Sequence, residues 1–235
     1  MKKFCFVFIL ACMFMLTGCT KNYKTVSEYS ADMTKVRQRL GDYTIEAVVT
    51  SRDADVYCKS RIKNNLWKTE VSHNGGKTYI EGILYDGSRL YSYSNQENIA
   101  MEIPLRQMFA KGGVKDAKMM DKTVKFMNPT GLVYNWDAIE ATNIDKLWTF
   151  GERTKKNNYN CRMLTLSRGG EACISDKYGV AVYLKVSTPK KGDVEINVKK
   201  ISNNSISNHD LELSSGLKKV SMTELISNKA KMINR

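Results

Sequence analysis

Apolar and polar residues alternate strictly through most of the chain after residue 42. The clearest stretch is 193–200, where Val194, Ile196 and Val198 alternate with polar residues. Successive side chains of a strand point to opposite faces of a sheet, so this period of two predicts antiparallel strands with one buried and one wetted face. About ten strands are predicted, and a sheet of that size is expected to curl. The strand-like segments are 42–50, 54–63, 66–73, 77–85, 89–94, 98–103, 147–153, 158–166, 171–175, 179–187 and 193–200.

A helix is predicted before the sheet. Thr25 and Glu28 have the spacing of a capping box, in which side chains bond the free amides of the first turn. Gly41 is well placed to end the helix. Between these signals lie apolar residues at the spacing of one helix face: Tyr29, Met33, Val36 and Leu40. The simplest interpretation is a helix packed on the sheet, and a helix that binds a partner is the alternative.

Residues 104–145 interrupt the strand pattern. Two prolines, Pro104 and Pro129, and two adjacent glycines occur here among apolar residues without a period of two: Leu105, Met108, Phe109, Met119, Met120, Val124, Phe126 and Met127. Short helices that cover the sheet are one interpretation. A mobile lid over a ligand is the other, because methionine adapts to varied apolar surfaces. A short basic helix is predicted for 220–235.

The predicted fold class is α+β, mainly β. It is a curled antiparallel half-barrel of about ten strands, with an N-terminal helix and a helical insertion covering its concave face. No internal repeat or Pro-rich or Gly/Ser-rich linker divides the chain, so one domain is predicted after the N-terminal segment.

The first nineteen residues have the parts of an export signal. Two lysines precede thirteen apolar residues, 4–16. A helix of that length spans about 20 Å, short of the roughly 30 Å core of a bilayer. The stretch Leu16-Thr17-Gly18-Cys19 then resembles the lipobox of bacterial lipoproteins.

The lipobox resemblance implies that Cys19 is acylated and becomes the first mature residue. Residues 1–18 are then a signal peptide, 19–24 a tether, and 25–235 the folded domain. Several acyl chains hold a protein to a bilayer almost permanently. The alternative is an ordinary cleaved signal with a coincidental cysteine, because other cysteines occur in the same segment.

The residues after the anchor bear on localisation. Thr20 and Lys21 follow Cys19, so no Asp stands beside it. By the enterobacterial sorting rule that the resemblance brings with it, this favours the outer membrane, facing the periplasm. The predicted location is therefore the bacterial cell envelope, with the protein anchored to the membrane through Cys19.

The chain is basic, with 37 Lys and Arg against 24 Asp and Glu and a net charge of +13. Such a balance is typical of proteins that bind nucleic acid or an anionic membrane surface. An export signal argues against nucleic acid as a partner. Most basic residues alternate with apolar ones, which is typical of the solvated face of strands.

Three cysteines follow the anchor, and an exported protein is free to form disulfides. Cys161 and Cys173 lie in neighbouring strand-like segments and are the best candidate pair. A symmetric turn between them would place residue 173 opposite 164 rather than 161. The sequence therefore does not decide whether Cys161 and Cys173 form a disulfide. Cys58 would remain as a buried thiol. The cysteine spacing is not a zinc pattern and there are only two histidines, so no metal or cofactor is predicted.

Two stretches resemble the LolA and LolB superfamily of outer-membrane lipoprotein carriers. The first, 173–186, reads as a strand, a turn with Gly and an apolar residue, and a returning strand. The second, 198–220, resembles the closing strand and loop of that superfamily. The resemblance implies a half-open barrel whose apolar cavity holds acyl chains or similar amphiphiles.

Three classes of function are considered for this sequence: a carrier, a non-catalytic envelope module and an enzyme. A carrier or receiver would bind a lipid or the acyl chains of a lipoprotein, and insert them into the outer membrane. A non-catalytic envelope module would sense stress or bind a protein or a polysaccharide, using the same fold with a filled interior. Its basic surface and exposed Tyr85, Tyr91 and Tyr93 would form the contact. An enzyme is disfavoured because His73 and His209 belong to no recognisable catalytic motif. The inward candidates for ligand binding are Tyr43, Ile45, Val49, Trp67, Val71, Met101, Met108, Phe109, Trp148 and Leu164.

Overall fold

A computed structural model of the protein describes residues 22–52, 54–105, 123–125, 127–138, 143–188, 192–221 and 224. In these ranges twelve strands form one open, curled sheet. The strands are β1 (Tyr43–Thr50), β2 (Asp55–Lys63), β3 (Leu66–Ser72), β4 (Glu81–Tyr85), β5 (Leu90–Ser94), β6 (Ile99–Ile103), β7 (Trp148–Lys156), β8 (Tyr159–Leu166), β9 (Gly170–Ser175), β10 (Ala181–Thr188), β11 (Gly192–Asn203) and β12 (Lys218–Val220).

The strands follow the order β12-β6-β5-β4-β3-β2-β1-β11-β10-β9-β8-β7. Every neighbouring pair is antiparallel except β12 and β6, which run parallel. The mainly β class is confirmed, but the count of about ten strands is wrong. Each predicted segment forms a strand, and the additional strand is β12. It lies at the sheet edge and is too short to show a period of two.

The predicted N-terminal helix is confirmed as α1 (Val26–Leu40). The Thr25 hydroxyl accepts a hydrogen bond from the Glu28 amide at 3.2 Å, as the capping signal predicts. The helix packs on one face of the sheet, which we call the inner face. Two hydrogen bonds fix it there: the Tyr29 hydroxyl donates to the Ile174 carbonyl at 3.3 Å, and Arg37 donates to the Gly179 carbonyl at 3.0 Å.

The described part of the predicted insertion also contains short helices. These are α2 (Gly131–Tyr134), a 3₁₀ turn (Trp136–Ala138) and α3 (Ile144–Leu147). Trp136 is fully buried with Tyr29, and its indole N–H donates to the Gly179 carbonyl at 3.1 Å. None of the described helices is long and apolar enough to cross a membrane.

The opposite face, which we call the outer face, carries a smaller apolar cluster. Leu84, Tyr91, Tyr93 and Ala100 are buried there beneath side chains of the segment 211–217. Tyr91 and Tyr93 are each only 4% exposed. The prediction that these two tyrosines are exposed is therefore wrong, because the chain after β11 folds back over them.

The two candidate disulfide cysteines lie on adjacent strands. Cys161 in β8 and Cys173 in β9 are bonded through their sulfurs, with their Cα atoms 5.4 Å apart. Cys173 pairs with Met163 in the ladder, so the two cysteines are diagonal neighbours. Cys58 in β2 is a buried free thiol, and burial raises its pKa to about 12.

Two predicted segments fall largely or wholly outside the described residues. The signal peptide 1–18 and Cys19 lie there, as does most of the predicted helix 220–235, of which Val220 belongs to β12. Tyr23, within the predicted tether, packs edge-on against Tyr29 with ring centroids 5.0 Å apart.

Candidate functional site

Half of the inner face is a packed core. Five of the residues predicted to line a ligand cavity are 0–4% exposed in one cluster with side chains of α1, α2, the 3₁₀ turn and α3, and Val49 packs against that cluster. Tyr43, for example, lies against Tyr134 with ring centroids 5.6 Å apart. These side chains contact each other and the covering helices rather than an open cavity. The five are Tyr43, Ile45, Trp67, Trp148 and Leu164.

A buried hydrogen-bond network ties the insertion to the middle of this face. The side-chain carbonyl of Asn128 accepts from the Thr69 hydroxyl at 2.8 Å and from the Thr130 amide at 2.9 Å. The Thr130 hydroxyl donates to Ser60 at 2.7 Å. Buried polar groups are costly unless they are paired, so these bonds fix residues 128–130 at this position on the sheet.

Beyond this network the inner face opens into a cleft over β3–β6. Strand register places Val71, Ile83 and Met101 on the same face as Thr69, because Ile83 pairs with Thr69 and Ser92 pairs with both Ile83 and Met101. The cleft has a volume of about 350 Å³. Its lining residues are Val71, Glu81, Gly82, Ile83, Ser92, Tyr93, Ser94, Glu97, Ile99 and Met101.

The cleft has an apolar floor and an acidic rim. Val71, Ile83, Ile99 and Met101 are all partly exposed, although they are apolar. Glu81 and Glu97 are exposed, and they are the only charged side chains among the described residues of the lining. The surface can therefore withdraw apolar groups from water while its carboxylates face a polar part of the same ligand.

Only part of this lining was predicted from the sequence. Val71 and Met101 were candidates, whereas Ile83, Ile99 and both glutamates were missed. Ile99 could have been predicted from the period of two, because within 98–103 it falls on the same face as Met101. Met108 and Phe109, also candidates, lie outside the described residues.

The two histidines lie apart from the cleft floor. His73 is exposed, with Nε2 3.9 Å from Glu81 Oε2, and His209 is exposed, with Nδ1 3.4 Å from Glu212 Oε2. No group of three or more potential metal ligands occurs within the described ranges.

Comparison with known proteins bears on the fold. No protein-family model matches the chain, and no curated protein matches it. Among solved structures, an uncharacterized conserved protein from Thermus thermophilus has a TM-score of 0.53 at 8% identity, over 82% of this chain and 99% of that one. This likeness shows a shared fold alone.

Two further solved structures have TM-scores below 0.5. One is the complex structure of Pseudomonas aeruginosa MucA/MucB (TM-score 0.47, 8% identity, 81% of this chain and 63% of that chain). The other is LolA superfamily protein NE2245 from Nitrosomonas europaea (TM-score 0.37, 10% identity, 81% and 99%). This chain thus spans less than two thirds of the matched chain in the MucA/MucB structure.

The architecture agrees with the expectation from the sequence. An open, curled sheet with helices on its inner face is the arrangement that the sequence resemblance implied.

Proposed function

We propose that the protein is a lipid-anchored, non-catalytic binding protein of the bacterial envelope, whose cleft takes up an apolar group of its ligand. The observation that carries this proposal is the set of four apolar, partly exposed side chains around the 350 Å³ cleft. Burial of apolar surface contributes about 25 cal/mol per Å². The volume falls within the roughly 300–1,000 Å³ of ligand sites.

In the first form of the proposal, the protein is a carrier of a lipid or a lipoprotein. An acyl chain of a lipid or lipoprotein would occupy the cleft during transfer towards the outer membrane. The resemblance of 173–186 and 198–220 to lipoprotein carriers supports this form. So does the fold, since the open half of the inner face leaves apolar side chains partly exposed beside a filled half.

A second candidate is an interaction or sensor module. It is favoured by one observation: the five core residues named above are packed together, so the described half-barrel has a filled interior there. A protein partner would then contact the surface of the cleft. Two of the three tyrosines first considered for this role do not serve it, because Tyr91 and Tyr93 are buried, whereas Tyr85 is partly exposed.

Membrane anchoring is proposed through acylation of Cys19, with outer-membrane localisation. Growth with an alkyne-tagged palmitate should label the wild-type protein in the membrane fraction. Cys19→Ala should abolish the label and release the protein from that fraction. Cys12→Ala, a matched change within the signal, should leave both unchanged. Label retained in Cys19→Ala would refute this site.

Ligand binding is tested on residues 20–235, since every described element begins after residue 25. Native mass spectrometry should show a co-purifying amphiphile that a fluorescent fatty-acid analogue displaces. Ser92→Trp fills the cleft and should abolish probe binding. Ser202→Trp, the same change at a partly buried serine of β11, is the control. A clean unliganded mass with no probe binding would exclude the carrier form and leave the interaction module.

A further inference from the structure

We propose that the occupant of the cleft is a segment of a partner polypeptide in which an apolar side chain stands beside a lysine or arginine. This inference rests on the proposed function, because it takes the cleft as the binding site and names the chemistry it selects. It commits to a peptide rather than to a fatty acid or phospholipid.

Charge complementarity is the first argument. Glu81 and Glu97 border the cleft, and none of the described residues that line it is basic. The chain as a whole has a net charge of +13, so this rim is an acidic site on a basic protein. Such a site attracts cations at short range and discriminates against anions.

An anionic amphiphile fits this rim poorly. A fatty acid or phospholipid with its chain over Met101 and Ile83 would bring a carboxylate or phosphate towards two carboxylates. Like charges at close range oppose binding, and they do so more strongly where water is partly displaced. A lysine or arginine in the same place gains from both glutamates.

The polar groups of the floor suit a peptide. The Ser92 hydroxyl lies between Ile83 and Met101 and is able to donate and accept hydrogen bonds. Ser94 lies between Glu81 and Ile99, and its hydroxyl accepts from the Glu97 amide at 3.2 Å and is still able to donate. A polypeptide backbone offers both donors and acceptors, whereas an acyl chain offers neither. The interior that would accommodate a long chain is filled by Tyr43, Trp67 and their neighbours.

Two described basic side chains, His73 and Lys218, also lie near the rim. His73 faces Glu81 at 3.9 Å, and it opposes a cation only when it is protonated. Lys218 of β12 pairs with Ile99 in parallel register, so it is an exposed cation beside Ile99, on the face of the sheet that carries the cleft. If the two glutamates govern selection, removing the Lys218 charge should not weaken a cationic ligand.

The test uses the complete mature chain with Cys19→Ser, and three fluorescein-labelled peptides. Each has two central leucines, flanked by lysines, by glutamates or by serines. Anisotropy at low salt should show the lysine peptide binding at least tenfold more tightly than the glutamate peptide. The preference should shrink at about 0.5 M salt, where charges are screened.

Variants separate the rim from the floor. Glu81→Gln with Glu97→Gln should weaken the lysine peptide about tenfold and leave the serine peptide unchanged. Glu152→Gln, an exposed site in β7, and Lys218→Gln should not weaken the lysine peptide. Ser92→Trp should abolish binding of all three.

The failures of the two proposals are distinguishable. If the fatty-acid analogue binds and Ser92→Trp blocks it, but the peptides bind without charge preference or not at all, the cleft is the site and the peptide inference is overturned. If neither the analogue nor any peptide binds, the cleft is not a binding site and both proposals are overturned.

Discussion

At the scale of single residues, Gly179 controls how α1 meets the sheet. It lies in the turn between β9 and β10 with φ of +69°, a conformation that favours glycine. A Cβ placed on it would lie 2.3 Å from the Met33 carbonyl oxygen of α1. Its own carbonyl accepts hydrogen bonds from both Arg37 and Trp136. The helix can therefore approach the turn only because no side chain separates them.

Gly179→Ala should lower the free energy of unfolding far more than Gly192→Ala does. Gly192 has a similar φ of +72°, but nothing lies within 4 Å of the Cβ that alanine would add. The control carries the backbone cost alone, about 1–2 kcal/mol. Gly179→Ala adds a backbone clash and displaces α1, so at least twice that loss is expected in urea unfolding. Equal losses would show that the close approach contributes nothing to stability.

At the scale of elements, alternation predicted the strands well because it depends only on which residues face water. All eleven segments with a period of two became strands, and the capping residues located the start of α1. The parallel partner of β6 could not be predicted in this way. Lys218–Val220 is three residues long, and its pairing depends on how the preceding segment crosses the outer face.

The contact between α1 and α3 should make stability depend on pH. Asp145 accepts hydrogen bonds from the Ser27 amide at 2.8 Å and the Ser27 hydroxyl at 2.5 Å, and these bonds lower its pKa. A carboxyl whose pKa is lower in the folded state stabilises it above the unfolded pKa of about 3.9. That stabilisation is lost as pH falls through the folded-state pKa.

Asp145→Asn should therefore lower Tm at pH 7, and the difference from wild type should shrink as the pH falls to about 2–3. Thermal unfolding followed by circular dichroism across this range measures it. Asp55→Asn, at the exposed start of β2, is the control and should show a smaller difference at pH 7. A difference that is constant with pH would mean that the Asp145 carboxylate charge is not what holds α3 to α1.

The disulfide between β8 and β9 should stabilise the folded protein, because it restricts the conformations of the unfolded chain. Cys161 and Cys173 are 12 residues apart, and closing a loop of this order contributes about 2–4 kcal/mol. Replacing both by alanine should lower stability by about that amount in urea unfolding. A reducing agent should destabilise the wild type but not the double variant. If the reducing agent also destabilised the double variant, its effect on the wild type would not come from this disulfide.

At the scale of the whole molecule, the candidate site was harder to predict than the fold. Alternation assigns Tyr43, Val71 and Met101 to one face but does not show which part of that face is covered. Coverage depends on where the Asn128 network places the insertion, and those contacts join residues about 60 positions apart in sequence. The sequence therefore identified a face, and the tertiary contacts divided it into a core and a cleft.

This division predicts unequal local stability. Strands β9 and β10 are buried beneath α1, with Ile174, Val182 and Leu184 fully inaccessible. Strands β4–β6 have the open cleft on their inner face and only the smaller outer cluster on the other. Regions with fewer buried apolar contacts open at lower free energy. Amide hydrogen exchange should therefore be faster in β4–β6 than in β9 and β10 of the free protein.

A ligand in the cleft should remove much of that difference. Binding stabilises the closed form of the strands it contacts, by an amount that rises with ligand concentration. The fatty-acid analogue or the lysine-flanked peptide should slow exchange in β4–β6 and leave β9 and β10 nearly unchanged. Ser92→Trp should show slow exchange in β4–β6 without ligand, because the indole fills the cleft, and no further effect on addition. If the ligand slowed amide exchange equally in β4–β6 and in β9 and β10, or in neither group, it would bind outside the cleft.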